Sequence, residues 1–248
     1  MNVWDELAPV LAAPFVGSFL GVLIRRLPAG RGIAWSRSAC ERCQHALGPA
    51  DLVPIASFIA LHGRCRHCAA PIARMHLAIE LAALLVPLCA LSAGLRAPDV
   101  LWLGCGLGWT LLALGWIDAL WLRLPDSLTL PLLLAGLAQC WVLTPARLAD
   151  HALAAIAAWA GLRGVALVYR RLRHRDGLGA GDAKLYAAAG AWIGLAGLPY
   201  VLLIAALLGL AAAGAGRLAG HRLTLASRIP FGPPLAAAIF MVWLAGVT

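Results

Sequence analysis

Long apolar runs dominate the chain, and short polar stretches part them. Runs lie at Leu7 to Ile24, 77–95, 100–117, 127–143, 152–169, 183–196, 198–216 and 231–247. Most approach the roughly 20 residues that a helix needs to cross a bilayer core. The sixth run is short and rich in Ala and Gly, which predicts tight packing inside a helical bundle. The connections carry helix breakers: Pro98, Pro125, Pro145, Gly177 to Gly181, and Pro230 to Pro234. A polar segment of about fifty residues separates the first run from the second. The pattern predicts an all-α polytopic membrane protein of about eight transmembrane helices. Its parts are a first helix over 1–25, a cytoplasmic loop over 26–75, and a seven-helix core over 76–248.

Composition sharpens this picture. Of 248 residues, 62% are apolar and 12% charged, about half the charge of an ordinary soluble domain. Mean hydropathy is +0.85. A soluble surface cannot be dressed from this composition. Disorder, collagen and coiled coil lack their charge, glycine period or heptads. The lipid bilayer is the expected surrounding. The acidic start, with Asp5 and Glu6, predicts no cleavable signal peptide.

The net charge of +9 comes almost wholly from arginine, with Lys184 the single lysine. In a soluble protein that excess would suggest nucleic acid. Here the basic residues fall between apolar runs and not along one face, so no nucleic-acid partner is expected. With eight spans and the 25–75 segment on one side, 17 basic residues share that side, among them Arg37, Arg175, Arg222 and Arg228. The other side holds Arg96 and Arg147, and Arg163 lies within a span. The positive-inside rule makes the rich side cytoplasmic. The Arg170 to Arg175 run reads as a topology signal facing anionic headgroups. Nothing in the pattern sets an oligomeric state.

Four cysteines carry the first candidate chemistry. Cys40 and Cys43 form one Cys-x-x-Cys pair, and Cys65 and Cys68 form a second. Two such pairs can close a tetrahedral thiolate site around structural zinc, as in a zinc ribbon. Two disulfides are the competing reading, which a reducing cytoplasm disfavours. His45 and His67 lie nearby as substitute ligands. Cys89, Cys105 and Cys140 read as packing residues within spans.

Asp118 closes the third run and Asp182 opens the sixth, after Gly179-Ala180-Gly181. On an eight-span topology both ends face the cytoplasm at similar depth. Carboxylates there are costly unless they face water or a partner. Two that meet would share one proton, as an aspartyl protease requires. Other readings stay open: an Arg-paired structural aspartate, or a helix N-cap at Asp182. In Leu124-Pro125-Asp126-Ser127, Asp126 or Ser127 reads as an ordinary N-cap. Gly17, Ser18 and Gly21 make a smooth helix stripe, whose plainest use is packing. Glu80 is an acid inside the second run, with Arg74 or Arg163 as candidate partners.

These pieces, in this order, resemble the type IV prepilin leader peptidases of bacterial inner membranes. The resemblance rests on Gly17-Ser18-Phe19-Leu20, the two cysteine pairs, Gly63-Arg64-Cys65-Arg66, Pro71-Ile72 and Glu80-Leu81. It continues through Ile117-Asp118, Leu124 to Pro131, Gly177 to Leu185, and Ile229-Pro230-Phe231-Gly232-Pro233. It implies an aspartyl endopeptidase, with Asp118 and Asp182 catalytic, acting on prepilins or type II secretion pseudopilins at the cytoplasmic membrane face. It also implies N-methylation of the new terminus with S-adenosylmethionine as donor, and ties Gly17, Ser18 and Glu80 to that step. Gly21 stands where the family usually has Asn, and Arg74-Met75-His76 where it usually has Arg-Tyr-Pro. The retained cysteines favour both activities. A cation-coupled transporter using these carboxylates is the alternative, although transporters favour midplane acids and internal repeats.

Overall fold

The computed structural model describes residues 3–32, 38–174, 179–220 and 230–246. Among them are nine α-helices and no strand: α1 (Val3–Arg26), α2 (Ala56–Ala60), α3 (Arg74–Ser92), α4 (Pro98–Trp121), α5 (Asp126–Leu143), α6 (Leu148–Arg173), α7 (Ala180–Ile193), α8 (Leu198–Leu218) and α9 (Gly232–Leu244). Arg37, Arg175, Gly177, Leu178, Arg222, Arg228 and Ile229, singled out above, lie outside the described residues.

Six helices are long and apolar enough to cross a membrane: α1, α3, α4, α5, α6 with its leading turn, and α8. α7 and α9 form where the pattern expects helices, but have only 14 and 13 residues. At 1.5 Å per residue each spans about 20 Å, short of a core about 30 Å thick. Gly194, at φ +78°, stops α7 in a backbone region that glycine enters freely.

The chain divides into two compact units, Met1–Trp109 and Thr110–Thr248. In the first, α1 and α3 pack antiparallel. Arg96 pairs with Glu6 at 2.8 Å at one end, and Arg25 Nη1 donates to His76 Nε2 at 3.3 Å near the other. The seam is tight because Gly17 lacks a side chain: a Cβ there would meet the Glu80 Cα at 2.6 Å. The indole N–H of Trp109 donates to the Ala83 carbonyl at 2.9 Å, filling a backbone acceptor at the same seam.

In the second unit α7 lies at the centre, in contact with α5, α6 and α9. Every residue from Leu185 to Ile193 is buried. Small residues permit this. A Cβ at Gly190 would lie 2.6 Å from the Ala154 backbone, and one at Gly136 would lie 2.5 Å from Trp192. Lipid offers apolar side chains no water to escape, so close backbone approach supplies the packing attraction. Two polar ties lock it: Trp192 donates to the Leu132 carbonyl at 2.8 Å, and His151 Nδ1 to the Ala191 carbonyl at 3.0 Å. The expected tight packing of the short Ala/Gly-rich helix is what forms.

Candidate active site

Asp118 lies in the last turn of α4 and Asp182 in the first turn of α7, both within the second unit. Each is almost fully buried, at 6% and 8% exposure. Asp182 lies close enough to Asp118 to feel its charge. The fold thus brings together two acids 64 positions apart, which the sequence placed only at similar depth.

Each acid is held by a glycine N–H. Gly232, the first residue of α9, donates to Asp118 Oδ2 at 2.7 Å. The first N–H groups of a helix have no partner within it, so a carboxylate fits there. A side chain at Gly232 is sterically barred, since its Cβ would fall 2.7 Å from both Cβ and Oδ2 of Asp118. Gly179 donates to Asp182 Oδ2 at 3.2 Å. Gly179 is the N-cap of α7, and Asp182 sits three residues on. The N-cap reading of Asp182 is therefore corrected: its carboxylate reaches back to the cap residue's N–H, as the third-position acid of a capping box does.

The Leu124 to Pro131 motif meets the first turn of α7 through Leu124. A Cβ on Gly181 would sit 2.9 Å from the Leu124 Cβ, so only glycine fits. Lys184 Nζ meets Asp126 Oδ1 at 2.6 Å on the surface. The N-cap of α5 is Pro125, without a side-chain cap bond, so neither Asp126 nor Ser127 caps the helix. Sequence alone gives Gly232 no task. Its one signal was a lone glycine set between Phe231 and Pro233.

In the first unit the four expected cysteines converge. All four Sγ atoms lie within 4.8 Å of one another, and Cys40 and Cys68 are 3.8 Å apart. An edge of about 3.8 Å is what four Zn–S bonds of ~2.3 Å give in a tetrahedron. The two pairs sit on matching knuckles. Gln44 N donates to Cys40 O and Cys40 N to His45 O, both at 2.9 Å; Ala69 N to Cys65 O and Cys65 N to Ala70 O repeat this at 2.9 and 2.8 Å. Gln44 and Ala69 both turn at positive φ. Backbone N–H groups of Cys43 and then Arg42 draw the Cys40 thiol down to about 6. The His45 N–H favours the Cys43 thiolate, but burial and the neighbouring thiols outweigh it and push Cys43 up to about 11. Four thiolates cannot share this space without a cation. No cysteine is in a disulfide among the described residues. The His45 and His67 rings meet at a tilt of 34°, centroids 3.6 Å apart.

Glu80 is buried and accepts the Ile55 N–H at 2.7 Å. The Ser18 hydroxyl is its second partner. These stand in place of the arginines the sequence suggested. Ile55 has φ +61°, a strained value for a β-branched residue. Glu80 thus fixes the loop onto the α1–α3 seam.

Known proteins resemble this chain along most of its length. A family model for the bacterial peptidase A24 N-terminal domain matches residues 11–93. A second, for the type IV leader peptidase family, matches residues 105–214. A prepilin leader peptidase/N-methyltransferase of Burkholderia pseudomallei is 41% identical, over 90% of this chain and 79% of its own. Proteins of the same name from Aeromonas hydrophila and Pseudomonas aeruginosa are each 34% identical. The chain is covered to 94% and 96% in these two, and the relatives to 89% and 90%. No solved structure gave a significant match.

Proposed function

Because the chain belongs to the type IV leader peptidase family, we propose that it cleaves the leader from type IV prepilins or type II secretion pseudopilins and then N-methylates the new terminus. The observation that carries the first step is the buried pair Asp118 and Asp182, each steadied by a glycine N–H. The ionised acid of the pair takes a proton from water as the water oxygen bonds to the scissile carbonyl carbon. The protonated acid donates to the carbonyl oxygen. Collapse of the tetrahedral intermediate breaks the C–N bond, and a proton passes to the leaving amine. The pair titrates as a unit, so the proton belongs to both acids. Family membership disfavours the transporter reading.

We further propose eight spans in the inner membrane, with α7 and α9 as short spans and the aspartate pair facing the cytoplasm. The 17-to-2 distribution of basic residues supports this orientation. A prepilin leader is cationic and its mature part begins as an apolar helix. The same rule holds the leader in the cytoplasm and the scissile bond at the interface.

For the loop, Cys40, Cys43, Cys65 and Cys68 would hold zinc with no open position, so the ion would be structural. For methyl transfer, Gly17, Ser18 and Glu80 would serve the donor. A buried carboxyl beside a hydroxyl suits a sulfonium or ammonium cation. S-adenosylmethionine, when bound, supplies the methyl group. The deciding experiment is cleavage of a synthetic prepilin by the purified protein and by its Asp118→Asn and Asp182→Asn variants. Loss of cleavage in both variants, with unchanged expression and folding, is expected. Unaltered processing by either would sink the peptidase assignment.

A further inference from the structure

A groove of about 390 Å³ opens in the second unit. Residues of α6 from Ala157 to Val165 form one wall, and Tyr186 of α7, Leu198 and Leu202 of α8, and Phe231 form the rest. No charged side chain lines it. Its one hydroxyl, on Tyr186, is already spent on the Leu198 carbonyl at 2.9 Å.

Two of its lining residues stand close in the chain to the groups of the candidate active site. Phe231 is bonded to Gly232, whose N–H holds Asp118. Tyr186 follows Asp182 by four residues, a rise of about 6 Å along α7. Both lining residues thus stand within about one helical turn of chain from a residue that carries or holds a carboxylate.

We propose that this groove seats the apolar helix that follows the scissile bond of the substrate, and so sets which chains are cleaved. The inference rests on the peptidase reading above. The chemistry of the walls selects the occupant. A cationic leader would lose its hydration against walls that offer no counter-charge. An apolar helix loses nothing there. Lining residues on α6 run from Ala157 to Val165, about 12 Å of helix or two turns. The Ala157, Ala158 and Gly161 stretch is the small-residue surface on which one helix approaches another closely in lipid. Cleavage specificity then has two parts: the aspartates act at the interface, and the groove measures the helix beyond.

Gly161 gives a clean test, because a Cβ there meets no atom within 4 Å. Gly161→Leu sends a side chain into the groove from a position whose Cβ is unhindered. Gly164 is equally open and does not line the groove, so Gly164→Leu is its control. The full-length protein in liposomes is given a prepilin with its apolar helix. For Gly161→Leu, KM is expected to rise about tenfold or more, since one methylene in an apolar pocket already shifts discrimination by that order. Its kcat is expected to stay within about twofold, and Gly164→Leu to match wild type in both. An unchanged KM in Gly161→Leu, or equal effects of the two variants, overturns the groove while leaving the peptidase reading intact. Wild type that cleaves nothing overturns both. As a second measurement, a photoreactive phenylalanine at Val165 in the Asp182→Asn protein should crosslink to the apolar helix of the bound prepilin. Crosslinks to the leader, to a second copy of this chain or only to lipid would also reject the proposal.

Discussion

Gly232 and Asp118 lie 114 positions apart, yet the glycine N–H and the carboxylate oxygen meet at 2.7 Å. The bond joins the start of α9 to the end of α4. It aligns the N-terminal donors of one helix with an acid that has little water around it. The contact distance leaves no space for any other residue at position 232.

Gly232→Ala should therefore damage the site locally. The new methyl would have to push the Asp118 carboxylate aside, and misplacement of a reacting group by about 1 Å can cost on the order of 10²-fold in rate. A kcat loss of that order for prepilin cleavage is expected, with KM little changed. Gly209→Ala is the comparison, since its methyl would make only ordinary contact, 3.8 Å from Pro234. Equal activity of the two variants would show that the Gly232 bond does not position the acid.

The surface pair Lys184–Asp126 should behave differently despite its 2.6 Å separation. Both side chains are more than a third exposed, so water screens the attraction. Exposed pairs couple by about 0–1 kcal/mol. In a double-mutant cycle of Lys184→Ala and Asp126→Ala, the coupling in unfolding free energy should fall in that range, and cleavage should persist in each variant. A coupling well above it, or loss of cleavage in Asp126→Ala, would give this motif a catalytic part.

Much of this was legible in the chain. Apolar runs located all the long helices, because hydrocarbon forces length and composition together. The spacing of Cys40, Cys43, Cys65 and Cys68 announced their cluster, since two short pairs make local knuckles. What the sequence withheld was tertiary. The partners of Glu80 are a backbone N–H at Ile55 and a hydroxyl at Ser18, and no side-chain charge marks a backbone donor. The holding of Asp118 by Gly232 depends on an approach of helices distant in the chain. The short lengths of α7 and α9 follow from where glycine and proline end them, and periodicity sets such boundaries poorly.

Metal content tests the cysteine cluster. The purified protein should carry one zinc per chain by elemental analysis, and Cys68→Ser should carry little or none, because a closed four-ligand site loses its geometry with one ligand. Limited proteolysis should then open the 38–73 region in Cys68→Ser and in chelator-treated protein. Full zinc occupancy in Cys68→Ser would remove that cysteine from the site.

Glu80 offers a test that separates structure from methyl transfer. Its carboxyl holds the N–H of Ile55, a residue already strained at φ +61°. Glu80→Ala strands that donor, and an unpartnered buried N–H costs about 1–3 kcal/mol. Glu80→Gln keeps an acceptor oxygen in the same place and removes the charge. Thermal unfolding should thus shift in Glu80→Ala and barely in Glu80→Gln. If the carboxyl also serves the cationic donor, both variants should release mature pilin that lacks the mass of one methyl group, while leader cleavage continues. Mass spectrometry of the pilin N-terminus reads this directly. A fully methylated terminus from Glu80→Gln would confine Glu80 to holding the loop at Ile55.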